Sequence, residues 1–400
     1  MPRRMVLDGI RVVCFGMGGA APLATATLGD FGADVVKVEP LEGDVGRFPR
    51  PNRSPDMGAG FINANRNKRS ITCDIATPQG QDLIRALVKH CDVFIENFKV
   101  GDMARYGLDH ATLSALNPRL VYCSITGFGQ TGPYRDKPGF GVVAEAMSGL
   151  RHLTAEPGRV PVRVGVSIGD TLASLHGVIG ILMALQERAR SGQGQVIDVA
   201  LYEAVFNCME SLLPEYSAFG AVREAAGSAL PGIAPSNAYR CKDQGYVLIA
   251  GNGDSIFKRL MKLIGREDLG NDPELENNDG RVKRVQELDQ AIGRWAKTIT
   301  TDKALELLDS VAVPAGRIYT VADIANDPHY RARENIQTIR MQDGSNLEVP
   351  GVLPKLSRTP GSIKTLAPTI GQNTDDILKE IGLDDSQIAS LKERGVAFTQ

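Results

Sequence analysis

The sequence predicts an α/β protein, a large domain with a doubly wound, mostly parallel sheet followed by a smaller α/β unit. Three observations carry this. Short β-branched runs alternate with helix-length segments through the first third of the chain, and strands so spaced need right-handed crossovers that cover both faces of a parallel sheet. Around Gly220 to Pro235 the Gly, Ala and Pro content rises and periodicity fades, which marks a linker. The 400 residues also exceed what one hydrophobic core usually serves.

In order, Ile10 to Phe15 (IRVVCF) reads as the first strand, leading through a Gly/Ala-rich turn into a helix and then the strand Asp34 to Glu39. The amphipathic TPQGQDLIRALVKH precedes a strand at Asp92 to Asn97, and another helical stretch precedes a strand at Arg119 to Ile125. From Asp170 an apolar helix runs to near Gly192, after which VIDVALYEAVFNCMESLL supplies a strand passing into a helix. Beyond the linker come the strand Tyr246 to Ala250, a Gly251-Asn252-Gly253 turn, and helices near Ile256 to Ile264 and Val285 to Ile299. The tail carries a hairpin, TIRMQDGSNLEV, a Pro-rich stretch, and helices near Thr374 to Ile381 and Asp385 to Arg394. The chain is therefore drawn as 1–220, a linker and smaller unit at 221–330, and a C-terminal segment at 331–400. Ligands of doubly wound sheets sit at the carboxyl ends of the strands, here just after Phe15, Glu39, Asn97 and Ile125.

Forty-five basic residues nearly cancel forty-seven acidic ones, so nothing draws the chain as a whole to nucleic acid or an anionic membrane. The most apolar window, Thr171 to Leu185, carries His176 and runs into the charged QERAR; it reads as too short to cross a bilayer. Six scattered cysteines without a CxxC or Cys/His cluster argue against structural zinc and a disulfide framework, and for a reducing cytoplasm.

The first turn, Gly16-Met17-Gly18-Gly19-Ala20-Ala21, satisfies G-x-G-x-x-A, and Glu39 follows where a dinucleotide site would place its ribose-binding acid. A Gly-rich crossover without any ligand is the commoner explanation of such a pattern. Arg47, Arg50, Arg53, Arg66, Lys68 and Arg69 crowd the next loop; they suit a polyphosphate as well as they suit a solvated surface. Asp170 precedes the apolar helix and reads most simply as its N-cap, a position that also keeps a carboxylate ionised beside backbone amides able to stabilise an oxyanion. The five histidines form no triad with a serine and an acid, and Gly165-Val166-Ser167-Ile168-Gly169 has the letters of a nucleophile elbow in the wrong context.

LDGIRVV, ADVVKVEP with EGD, NRNKRSI, VFIENF, NPRLVYCSITGFGQTGPY, EAMSGL, GVSIGD and APTIGQNTDDILKEIGL occur in one order from Leu7 to Val396. Together they resemble the family III coenzyme A transferases, the carnitine and bile-acid CoA-transferase family that includes formyl-CoA transferases. The resemblance implies a Rossmann-like large domain to which the C-terminal segment 331–400 returns, an interlocked homodimer, and CoA transfer from a donor such as succinyl-CoA or acetyl-CoA to a small organic acid. The matching nucleophile is Asp170, which would form an acyl anhydride and then an aspartyl-CoA thioester. The positions matching CoA contacts are Gly19, Ala20, Asn97, Phe98, Lys99, Arg105 and Lys137. No metal or permanently bound cofactor is implied; the CoA thioester is a substrate.

Departures from the family pattern matter. Formyl-CoA transferases carry arginine, lysine and glutamine where this chain has Pro40, Ala76 and Gly19, so Arg47, Arg66 or Lys68 would have to meet the CoA phosphates instead. Their tetraglycine flap is missing, with Gly227 to Ala234 in its approximate place. The superfamily's α-methylacyl-CoA racemases use a His-Asp pair where this chain has Phe140 and Gly141, which ranks transferase above racemase although Glu145 lies nearby. Phe140 also replaces the tyrosine frequent in transferases. A dinucleotide-dependent oxidoreductase and a catalytically silent acyl-CoA-binding protein stand further behind.

Overall fold

The computed structural model describes residues 4–48 and 57–398. The chain divides into two compact units: Met1–Leu150, Val164–Glu210 and Arg331–Gln400 form the first, and Arg151–Arg163 with Ser211–Tyr330 form the second.

The first unit is built on β1 (Arg11–Cys14), β2 (Asp34–Glu39), β3 (Lys68–Thr72), β4 (Val93–Glu96), β5 (Val121–Thr126) and β6 (Val196–Ala200). All five pairings are parallel, in the order β3-β2-β1-β4-β5-β6. The chain winds outward one way to β3, then returns to the centre and winds the other way, so the order reverses between β1 and β4 and a crevice opens beyond their carboxyl ends. Because side chains alternate faces along a strand, Val12 and Cys14 pack on one side with the helices Ala20–Asp30 and Ile168–Ser191. Val13 and Phe15 pack on the other with the helix Pro78–Val88 and the C-terminal Ile377, Leu378 and Ile388.

β3 was not legible as a strand. Its KRSIT has a lysine and an arginine at its start, yet Lys68, Ser70 and Thr72 are buried. The returning tail covers this edge, with the Asn373 N–H donating to the Ser70 carbonyl and the Asp74 N–H to that of Val396, which satisfies backbone groups an edge strand leaves open.

The long helix has 24 residues and a mean hydropathy of 1.6 in its most apolar stretch. By length and composition it could cross a membrane, which corrects the expectation that this segment is too short. Its Ala173, Val178, Ile181 and Ala184 belong to the sheet's core. It begins at Ile168 with Ser167 as N-cap, so Asp170 is not the cap; it is the third helical residue.

The second unit holds an antiparallel sheet of β7 (Ser236–Arg240), β8 (Tyr246–Ala250) and β9 (Ala315–Arg317). Phe257, Leu260, Leu288, Ile292 and Leu308 form its core. Arg281, fully buried, donates to the carbonyls of Ala234, Leu275, Glu276 and Asn252 and to Asp254.

Candidate active site

The loop leaving β1 is held from two directions. From β2, the buried Lys37 ammonium donates to the Gly16 carbonyl at 3.1 Å and to Asp44 at 2.5 Å. Asp44 accepts in turn from the Gly18 N–H at 3.1 Å. Burial alone would raise the Asp44 pKa, but Lys37 and the amides of Gly46 and Gly18 hold it below the usual carboxylate range. From β4, the Asn97 side chain accepts from the Met17 N–H at 3.0 Å and donates to the Met17 carbonyl at 2.8 Å. Gly18 sits at φ +72°, a left-handed conformation that favours glycine.

This loop delivers Gly19, the N-cap of the helix Ala20–Asp30, to the Asp170 carboxylate. A Cβ built on Gly19 would stand 2.8 Å from Asp170 Oδ1, and one on Gly141 2.7 Å from Oδ2. The carboxylate therefore lies in the first turn of one helix and beside the first turn of another, where the positive end of each backbone dipole favours an anion.

Asp170 lines a cavity of about 640 Å³ together with Gly19, Ala20, Asn97, Phe98, Lys99 and Lys137. Thus seven of the eight site positions read from the sequence meet at one place, at the carboxyl ends of β1, β4 and β5. Arg105 does not line it: its side chain is 66% exposed, pairs with Asp102 at 3.3 Å and lies over the Tyr106 ring. Arg135, Gly141 and Ser167 line the cavity too, and sequence reasoning assigned none of them to CoA. Lys137 holds its ammonium 3.7 Å from the Tyr134 ring centroid. No histidine is among the described lining residues. Glu145 is buried beneath Gly169 and does not line the cavity.

Several expectations are corrected. Glu39 cannot take a ribose: it is fully buried and accepts from Arg47 at 2.6 and 2.7 Å, from Ser70 Oγ at 2.6 Å and from the Asp44 N–H at 2.9 Å. Nor do Arg47, Arg66 and Lys68 face a polyphosphate or solvent. Arg47 is fully buried on Glu39 and Phe61, Arg66 pairs with Asp30 at 2.7 Å, and Lys68 donates to the Pro22 carbonyl and Asn65. Arg69 bridges Asp34 and Glu380. Arg50 and Arg53 lie outside the described residues.

One buried acid at the switch point went unnoticed in the sequence. Glu96 ends β4 and accepts from the Phe98 N–H at 2.7 Å, which braces the turn carrying Asn97, Phe98 and Lys99. Burial pushes its pKa up to about 7. Among the described residues no group of three or more His, Cys, Asp or Glu side chains could hold a metal ion.

Comparison with known proteins fits this geometry. The chain is 42% identical over 392 residues to succinyl-CoA–D-citramalate CoA-transferase of Chloroflexus aurantiacus, covering 98% of each. It is 39% identical to the beta subunit of that organism's succinyl-CoA–L-malate CoA-transferase, again over 98% of both. A crystal structure of a CaiB/BaiF family protein from Brucella suis, 38% identical, superposes with a TM-score of 0.84 over 95% of this chain and 100% of that one. The family pattern of CoA-transferase family III matches residues 7–374, and a cavity at the β1/β4 switch point lined by an aspartate belongs to a chain that is a member of that family.

Proposed function

We propose that this CoA-transferase moves CoA from succinyl-CoA to a small dicarboxylic acid of the citramalate or malate type, with Asp170 as the covalent nucleophile. The observation that carries the proposal is the Asp170 carboxylate in a cavity shared with Asn97, Phe98, Lys99 and Lys137; the names of the two Chloroflexus relatives supply the donor and the acceptor class.

The chemistry needs only a carboxylate and a thioester. An Asp170 oxygen attacks the thioester carbonyl, the C–S bond breaks, and CoA leaves as thiolate from a mixed anhydride. The thiolate then attacks the Asp170 carbonyl carbon of that anhydride, expelling succinate and leaving an aspartyl-CoA thioester. The acceptor carboxylate attacks that thioester, and the released CoA thiolate attacks the acceptor side of the second anhydride, regenerating Asp170. Two carboxylates and two thioesters exchange at little net cost, so catalysis lies in placing the groups and stabilising each oxyanion. Backbone amides at the helix start beside Asp170 suit that task. Lys99 and Lys137 offer cations to the charged parts of CoA.

The working unit is proposed to be an interlocked homodimer. Leu175, Ile179, Leu182 and Met183 on the long helix are each 43–67% exposed in the single chain, an apolar row that association would cover. Light scattering at several protein concentrations checks this, and a monomer would refute it. Five buried cysteines not in disulfides support a reducing cytoplasm as the setting.

The test of function is succinyl-CoA against a panel of mono- and dicarboxylates, with hydroxylamine trapping of the enzyme-bound thioester. Asp170→Asn is expected to bind CoA and to lose exchange by at least about 10³-fold. Wild-type turnover in that variant would refute the covalent route.

A further inference from the structure

Building on Asp170 as nucleophile, we propose that Gly19 and Gly141 are positioning residues that pin its carboxylate between two bare Cα atoms and thereby set the rate of acyl transfer.

The contacts are specific to the reacting atoms. A Cβ on Gly19 would lie 2.8 Å from Asp170 Oδ1, 2.9 Å from Cγ and 3.2 Å from Cβ, whereas one on Gly141 would lie 2.7 Å from Oδ2. Each oxygen is thus flanked by a different glycine, from a different element: the N-cap of the helix Ala20–Asp30 and the first residue of the helix Gly141–Met147. Neither glycine is at positive φ, but Gly19, at φ −97° and ψ −88°, lies outside the regular α and β regions, so Gly141 is the cleaner place for an alanine. What excludes it is space. A methyl at either place must move the carboxylate or the backbone by several tenths of an ångström, and at Gly19 the Asn97 and Asp44 bonds to Met17 and Gly18 resist the latter.

A carboxylate confined on two flanks has little freedom to turn away from the thioester, and misplacing a reacting group by about 1 Å can cost about 10²-fold in rate. Asn97, Phe98, Lys99 and Lys137 line the same cavity, so the effect at Gly141 falls on chemistry and not on binding, whereas Gly19 also matches a CoA-contact position.

In the full-length protein, Gly19→Ala and Gly141→Ala are each expected to lower kcat about 10–100-fold. For Gly141→Ala the KM for succinyl-CoA should stay within about 3-fold, and in both variants hydroxylamine trapping should slow in parallel with kcat. Gly60→Ala, where a Cβ meets nothing within 4 Å, is the control at wild-type rate. If Gly19→Ala does not fold, Gly141→Ala alone decides. Wild-type kcat in the folded variants overturns the pinning, as does a rise in KM that accounts for the whole loss. Should Asp170→Asn be inactive while both glycine variants are normal, only the pinning fails; should Asp170→Asn be active, the nucleophile itself is wrong.

Discussion

Basic residues on the two sides of β1 meet opposite fates. On the β2–β3 side, Lys37, Arg47, Arg66 and Lys68 are buried and spent on Asp44, Glu39, Asp30 and backbone carbonyls. On the β4–β5 side, Lys99, Arg135 and Lys137 line the cavity with Asp170, and Arg135 pairs only loosely, at 3.4 Å, with its neighbour Asp136. Within the denser cluster of cations in the sequence, Arg47, Arg66 and Lys68 are thus structural. A count of charges along the chain does not reveal whether each has a carboxylate facing it in the fold, and that decides between scaffold and ligand site.

Exchanging the roles experimentally is the sharpest challenge to this contrast. Arg47→Ala strands the buried Glu39 carboxylate and is expected to cost about 3–5 kcal/mol of stability, read by urea denaturation at fixed protein concentration. A destabilisation under about 1 kcal/mol would mean that the β2–β3 side is less committed to structure than its burial implies. On the other side, Lys99→Ala and Lys137→Ala should leave the melting temperature alone. Each removes a charge-assisted contact of about 1.5–3 kcal/mol, so the KM for succinyl-CoA should rise about 10–100-fold. An unchanged KM in both would place the anionic parts of CoA elsewhere.

The effects smallest per unit of change in pH come from two buried groups that titrate near neutrality with opposite consequences. Burial lowers Lys68 from 10.5 to about 7. Between those values the unfolded chain holds the extra proton, so stability rises with pH across that window; Lys68→Met should remove the rise. Glu96, raised by burial from 4.5 to about 7, holds its proton in the fold between those values. Stability therefore falls as pH climbs from about 4.5 to about 7, and Glu96→Gln should remove that fall. Each slope is at most about 1.4 kcal/mol per pH unit, measurable by denaturation at a series of pH values. Slopes that persist in the variants would assign the titration to other groups.

Much of the fold was legible because its signals are local. β2 was read to the residue, β1, β4 and β5 to within two, and the hairpin β10 (Ile336–Arg340) and β11 (Asn346–Pro350) from its DGSN turn. β3 was missed because its polar residues look exposed until the tail covers them, and β7 because SNAYR has little β-branched character. In the site, the family motifs marked Asp170 and the two loops, whereas Gly141 was noticed as a lost racemase residue and not as a neighbour of the nucleophile. Its role depends on contact with an aspartate brought in by another helix, which leaves no trace in the spacing around residue 141.

By itself the sequence determined the alternation of strands and helices, the Gly-rich loop after β1 and the aspartate at the start of the long helix, because each depends on periodicity or residue type within one short segment. Tertiary structure alone decided that Glu39 is taken by Arg47, that Asn97 grips Met17, and that two glycines flank Asp170. Those outcomes depend on which surfaces the crossovers bring face to face. Whether a charge or a glycine there serves structure or chemistry is settled by the few ångströms to its neighbour.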